Sequence, residues 1–215
     1  MIPLLHDFEG ETVLVVGGGR VGARKARRFA REARVVVVSP DFADADFGGA
    51  ELVEATLDPE DVPDWLDRLD PMLVVAATDD GELNAAIEHE ARARDVLVNR
   101  TDIHGSRERG SVVVPATVRD DPVVVSISTG GASPALSKYL RERLEDELAG
   151  AGAMAELTGY LRDELQSRGV DPAERRAIVR DVVRQDDVWT VLRTGNTKPR
   201  QIAREVLRDR ALTEK

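Results

Sequence analysis

The stretch VLVVGGGRVGARKA, residues 13–26, runs an apolar segment into three consecutive glycines and then into helix-forming residues. Outward from it, residues 12–16 (TVLVV) and 35–39 (VVVVS) are short β-branched runs, and residues 22–32 between them hold helix formers with no internal breaker. Strand, glycine turn, helix, strand is a βαβ unit. Further runs at 51–55, 72–77 and 95–99 are separated by helical patterns at 59–69 and 81–93. Continuous Val-rich strands alternating with helices predict an α/β fold, a Rossmann-like parallel sheet covered on both faces.

The spacing Gly17-x-Gly19-x-x-Gly22 fits a dinucleotide fingerprint. Alone it is weak, but it follows a strand and opens a helix, as the motif requires. Glycine suits the tight turn at 17, leaves no Cβ against a pyrophosphate at 19, and lets the helix pack closely at 22. The helix start adds N–H groups and a positive dipole end. Asp41 stands at the end of the second strand, where a carboxylate accepts from the ribose 2′-OH and selects NAD over NADP; Ser39-Pro40-Asp41 also reads as a plain turn. Ala77 and Thr78 end the fourth strand, where such sheets bind ligands, although Thr78 or Asp79 also reads as a cap for the next helix. Asn99 ends the fifth strand and either touches the cofactor or closes a turn.

Composition bounds the function. The chain has 215 residues, 42% hydrophobic and 33% charged, enough for a domain with an appendage. A net charge of −10 argues against nucleic-acid binding, because phosphates need a basic face. Positive charge is almost all arginine, with lysine only at Lys25, Lys138, Lys198 and Lys215; a saline cytoplasm or an Arg-favouring genome explains this equally well. No run is long and apolar enough for a membrane span, and MIPLLHDFEG does not read as a secretion signal, so a cytoplasmic protein is expected. There is no cysteine, which removes thiolate chemistry, and His6, His89 and His104 are scattered, so no metal site is expected.

After residue 100 the pattern changes. Residues 99–110 form a polar loop, 112–118 and 122–128 read as a strand pair around Arg119–Pro122, and Ser133-Pro134 opens an amphipathic helix. Two strands and one helix bury little, so a partner subunit is expected to complete them. From about 150 the pattern is helical, with Asp171-Pro-Ala-Glu174 as one helix start and Pro199 as another; Tyr160 and Trp189 read as core or lid residues. The expected division is 1–111, a nucleotide-binding domain; 112–149, a dimerisation segment; and 150–215, a helical C-terminal domain.

The segments VLVVGGGRVGARKARRF, LVVAATDDGELN, VNRTD and VVVSISTGGASPALSKYLRERLE occur in order between about residues 3 and 149. Together they resemble the precorrin-2 dehydrogenase / sirohydrochlorin ferrochelatase family of siroheme biosynthesis. The resemblance implies a homodimer that binds NAD and a tetrapyrrole, and that oxidises precorrin-2 to sirohydrochlorin, in some relatives followed by Fe²⁺ insertion. It places Asp102 at the catalytic position, and Arg20, Val21, Asp41 and Phe42 at NAD-contact positions.

The chemistry agrees with that assignment. Removing hydride from a macrocycle also requires a proton acceptor, which a carboxylate beside the nicotinamide supplies. A substrate rich in carboxylates calls for local positive charge; Arg100, Arg107, Arg109, Lys138 and Arg141 are candidates, each equally readable as a solvated surface charge, and His104 is a candidate second proton carrier. The loop from Asp102 to Pro115 is longer and more charged than in the family, Thr129 stands where some relatives carry a serine, and Gly22 replaces a frequent alanine without expected harm to the turn. The rival readings are a chelatase with vestigial NAD binding and a non-enzymatic NAD-sensing Rossmann regulator.

Overall fold

A computed structural model describes residues 3–103, 111–195 and 198–213. The chain divides into two compact units, Met1–Val114 with Gly130–Ala132, and Pro115–Thr129 with Ser133–Lys215.

The first unit is built on a five-stranded parallel sheet in the order β3-β2-β1-β4-β5, where β1 is Thr12–Val16, β2 Arg34–Ser39, β3 Glu51–Glu54, β4 Leu73–Ala76 and β5 Leu97–Arg100. Its helices are α1 (Arg20–Phe29), α2 (Val62–Leu69), entered through a short 3₁₀ turn at Pro59–Asp61, and α3 (Gly81–Ala93). Register explains the Val-rich runs: Val13 lies between Val35 and Leu73, and Val15 between Val37 and Val75, so β1 is flanked on both edges by apolar residues. Side chains alternate between the two faces. Val13, Val15, Val35, Val37, Leu73 and Val75 pack with Ala23 and Ala26 of α1 and with Phe47. Leu14, Val16, Val36, Val38, Val74, Ala76 and Val98 pack instead with Val62 and Leu66 of α2 and with Leu83, Ile87 and Ala91 of α3. Each fully buried valine or leucine contributes about 1.5–3 kcal/mol over exposure. Because order reverses between β1 and β4, the switch point opens a crevice at their carboxyl ends.

In the second unit, β6 (Ala116–Asp120) and β7 (Val123–Ile127) form an antiparallel hairpin. Its turn is shorter than the sequence pattern implies, because Arg119 and Asp120 stay in the ladder, opposite Val124 and Val123. The Asp120 carboxylate instead accepts from the Gly152 N–H at 3.0 Å. Helix α4 (Pro134–Glu147) is capped by Ser133, whose hydroxyl accepts from the Leu136 N–H, and it buries none of its residues. Helices α5 (Ala151–Ser167), α6 (Pro172–Val183), α7 (Asp186–Thr194) and α8 (Pro199–Thr213) surround their own core of Leu157, Leu161, Ile178, Val182 and Ala203. Asp171 caps α6 by accepting from Ala173 and Glu174 N–H groups, and Tyr160 and Trp189 pack against the helical core. The hairpin and the helical tail thus share one compact unit. Among the described residues no helix is long and apolar enough to cross a membrane.

Candidate functional site: a glycine-floored crevice and the carboxylate at the end of β5

The crevice at the switch point encloses about 500 Å³ and is lined by the glycine turn, the ends of β2 and β4, and the residues after β3. Its floor is glycine for steric reasons. Gly17 has φ +116°, and a Cβ there would overlap the Ala77 carbonyl of the neighbouring strand. A Cβ on Gly22 would overlap the Gly17 carbonyl oxygen, so the turn is tighter than one that accepts alanine, and glycine at 22 suits it. Around the Cβ position of Gly19 there is nothing within 4 Å, which leaves open crevice. Gly18 escaped the sequence reading: a Cβ there would overlap the Asp41 carbonyl, and the Gly18 carbonyl accepts from the Ala43 N–H at 2.9 Å. The signal was the unbroken triplet, which a two-glycine fingerprint does not need.

The two helices that start at the crevice differ in their ends. At α3, the Asp80 carboxylate accepts from the Glu82 and Leu83 N–H groups at 2.8 and 3.1 Å, so the cap is Asp80 and not Thr78 or Asp79. At α1 the cap position is Gly19 and no side chain accepts from the first turn. The first-turn amides of α1, from Arg20 and Val21 onward, therefore lack a helical acceptor, and the dipole adds partial positive charge there. That is an anion site facing a glycine floor, and it fits the pyrophosphate of a dinucleotide.

Of the residues expected at a cofactor, Gly17, Gly19, Arg20, Val21, Asp41, Ala77 and Thr78 all line the crevice, while Gly22 shapes its floor from behind. Asp41 is exposed at the crevice edge just beyond β2. Two others are engaged within the fold. Phe42 packs edge-on against Phe47, with ring centroids 5.8 Å apart. Asn99 is buried on the α1 face of the sheet, where it accepts from the Lys25 ammonium at 2.8 Å and donates to the Val112 carbonyl at 2.6 Å. Strand alternation puts its side chain on that face, away from the crevice lining.

Asp102 lies just past β5, and its carboxylate is gripped at both oxygens by Arg100, Nε to Oδ1 at 3.1 Å and Nη2 to Oδ2 at 2.5 Å. The Arg100 guanidinium also meets Glu88 of α3 at 3.0 Å, and its side chain is only 13% exposed. Arg100 is thus engaged by two carboxylates of this chain. The Arg100 hydrogen bonds hold the Asp102 carboxyl below the ordinary carboxylate range, against the opposing pull of burial, and a hydrogen bond from Asn84 acts in the same direction.

Asn84 is the main residue that sequence reasoning missed. It is fully buried, accepts from the Thr78 hydroxyl at 2.8 Å and donates to the Thr78 carbonyl at 2.9 Å. It thereby ties α3 to the turn that forms the crevice wall at Thr78. The available signal was an amide beside Leu83 on the apolar side of a helix, where a polar group needs partners.

Lys138 and Arg141 belong to the second unit, on α4, where Lys138 pairs with Glu142 at 3.8 Å and Arg141 pairs with Glu145. Both charges are matched within their own helix. His104, Arg107 and Arg109 lie outside the described residues. Among the described residues no group of three His, Asp or Glu side chains is arranged to hold a metal ion.

Comparison with known proteins agrees with this geometry. Residues 4–116 match the family model described as "Putative NAD(P)-binding", and residues 120–147 match "Sirohaem biosynthesis protein central". The chain is 33% identical over 195 residues to a protein named precorrin-2 dehydrogenase from Methanosarcina barkeri, covering 87% of this chain and 85% of that one. It is 38% identical over 183 residues to siroheme synthase 1 of Pectobacterium atrosepticum, covering 81% of this chain but 36% of that protein, so it spans about a third of the length of such relatives. A solved structure titled SirC, precorrin-2 dehydrogenase, shares the fold with a TM-score of 0.69 at 24% identity, covering 97% of this chain and 100% of that one. With its nucleotide crevice and its central segment both matched, the chain belongs to the family of the precorrin-2 dehydrogenases and siroheme synthases.

Proposed function

We propose that this chain oxidises precorrin-2 to sirohydrochlorin with NAD⁺. The observation that carries the reading is the likeness to the Methanosarcina barkeri protein named precorrin-2 dehydrogenase along most of both chains. The crevice supports it, because its glycine floor and uncapped α1 suit a pyrophosphate. Gly17, Gly19 and the first amides of α1 would hold the phosphates, and Asp41 would accept from the ribose 2′-OH and repel a 2′-phosphate, favouring NAD over NADP. NAD⁺ supplies the hydride acceptor. Two hydrogens leave the macrocycle, one as hydride and one as a proton, and Asp102 is the proton acceptor in this reading. A carboxylate held below its ordinary range is ionised at neutral pH, so it is ready to accept without a prior deprotonation.

The protein acts as a cytoplasmic homodimer in this reading. Leu136 and Tyr139 on α4, 46% and 53% exposed, supply apolar surface for a second copy. Iron insertion into the product is a second reading, supported by the likeness to proteins named siroheme synthase.

The test is anaerobic incubation with precorrin-2 and NAD⁺, followed by sirohydrochlorin absorbance, with and without Fe²⁺. Formation of sirohydrochlorin by the wild type and its loss in Asp102→Asn are expected. Wild-type turnover in Asp102→Asn would remove the catalytic assignment, and no oxidation by the wild type would remove the function.

A further inference from the structure

We propose that Arg100, anchored from α3 by Glu88, is the positioning residue for Asp102, its planar fork fixing both carboxylate oxygens at the end of β5. The inference rests on the reading of Asp102 as the proton acceptor and goes beyond it, by assigning what keeps that acceptor in place.

Asp102 lies two residues past Arg100, beyond the end of β5. A carboxylate on such a segment has several rotamers open to it unless something external selects one. Arg100 supplies the selection through two parallel hydrogen bonds, 3.1 and 2.5 Å, in the bidentate arrangement that only a guanidinium makes. The fork would itself swing without an anchor. Glu88 holds its other nitrogen at 3.0 Å and is held in turn by Arg92 at 2.5 Å, both from α3. Strand alternation makes the chain of charges possible, since Arg100 shares with Val98 the face covered by α3. Among the described residues, the charged groups linked to Asp102 are thus Arg100 from β5, with Glu88 and Arg92 behind it on α3.

Two consequences can be separated. The charge of Arg100 favours ionised Asp102, and the shape of the fork fixes its direction. Arg100→Gln removes both, whereas Arg100→Lys keeps the charge and loses the fork. Neither leaves Glu88 unpaired, because Arg92 remains.

The experiment titrates the Asp102 carboxyl carbon by NMR in protein labelled with ¹³C aspartate, in the presence of NAD⁺, for wild type, Arg100→Gln and Arg100→Lys. It pairs this with kcat/KM against pH for the same three proteins and Asp102→Asn. In Arg100→Gln the carbon is expected to titrate at higher pH, and the ratio of its kcat/KM to the wild-type value should be at least about threefold lower near pH 4.5 than near pH 8. Arg100→Lys should titrate close to wild type yet lose kcat by about tenfold or more, since misplacement rather than charge is then the defect. An unchanged titration together with a superimposable pH profile in Arg100→Gln overturns the inference. Should Arg100→Gln fail to fold, wild-type kcat in Arg100→Lys overturns it alone. Full turnover in Asp102→Asn instead removes the reading of Asp102 as acceptor, while the NMR titration still reports whether Arg100 governs that carboxylate.

Discussion

At Gly22 one methyl group decides whether the crevice keeps its shape. A Cβ there would overlap the Gly17 carbonyl oxygen, and Gly17 itself holds a φ of +116° that leaves it little freedom to yield. Overpacking of this kind costs about 1–3 kcal/mol, and each 1.4 kcal/mol is about tenfold in affinity. Gly22→Ala is therefore expected to weaken NAD⁺ binding by about tenfold or more, as measured by calorimetry, with a lower Tm; an unchanged affinity would mean the turn relaxes freely. Asp41 tests the other end of the same crevice. Asp41→Asn keeps a hydrogen-bond acceptor but removes the charge, so the NADP⁺ to NAD⁺ ratio of kcat/KM should rise, by about tenfold if 2′-phosphate repulsion is the main discriminator. Asp102 adds a pH dependence with a definite sign. Its folded carboxyl titrates below the unfolded one, so the pair with Arg100 stabilises the fold above the unfolded value and stops doing so as pH falls through the folded value. The Tm gap between wild type and Arg100→Gln should accordingly be widest near neutrality and narrow in acid.

Helix α3 joins both halves of the site, since one of its faces carries Leu83, Ile87 and Ala91 into the core while Asn84 reaches Thr78 and Glu88 reaches Arg100. Removing the Asn84 amide leaves a cavity in a fully buried site and takes a partner from the part-buried Thr78 carbonyl, at a cost of about 1–3 kcal/mol. Asn84→Ala should thus lower Tm by several degrees in a calorimetric scan and weaken NAD⁺ binding through the loosened Thr78 turn; a shift within a degree would deny the helix this role. At this scale the sequence was most legible. The Val-rich runs, the glycine turn and the extent of α3 follow from hydrophobic period and breaker positions, which are local properties. The surroundings of Phe42, Asn99 and Arg100 were less legible for one reason: they depend on which face a side chain takes and which distant group meets it there. Asn99 was placed at the right strand end, but Lys25, contributed by α1, lies 74 residues away in sequence and claims it. No window of neighbouring residues contains that partner.

For the molecule as a whole the governing quantity is a net charge of −10 on 215 residues. Self-repulsion of that size opposes compaction, and salt relieves it, since the Debye length shrinks from about 30 Å at 0.01 M to about 10 Å at 0.1 M. Salt also weakens ion pairs, so the sign of the response depends on where they sit. Arg34–Glu51, Arg27–Asp46, Arg162–Asp163 and Arg200–Glu156 each have both side chains more than half exposed, and such pairs contribute about 0–1 kcal/mol, so little is lost by screening them. The pairs of Arg100 with Glu88 and Asp102 are shielded, with side chains between 12% and 29% exposed, and are screened least. Relief of repulsion therefore outweighs lost attraction. Tm is expected to rise by several degrees when NaCl increases from about 0.05 to about 0.5 M, while the NMR titration of Asp102 moves little. A Tm that fell with salt would show that the exposed pairs, and not the excess of carboxylates, dominate the electrostatics of the fold.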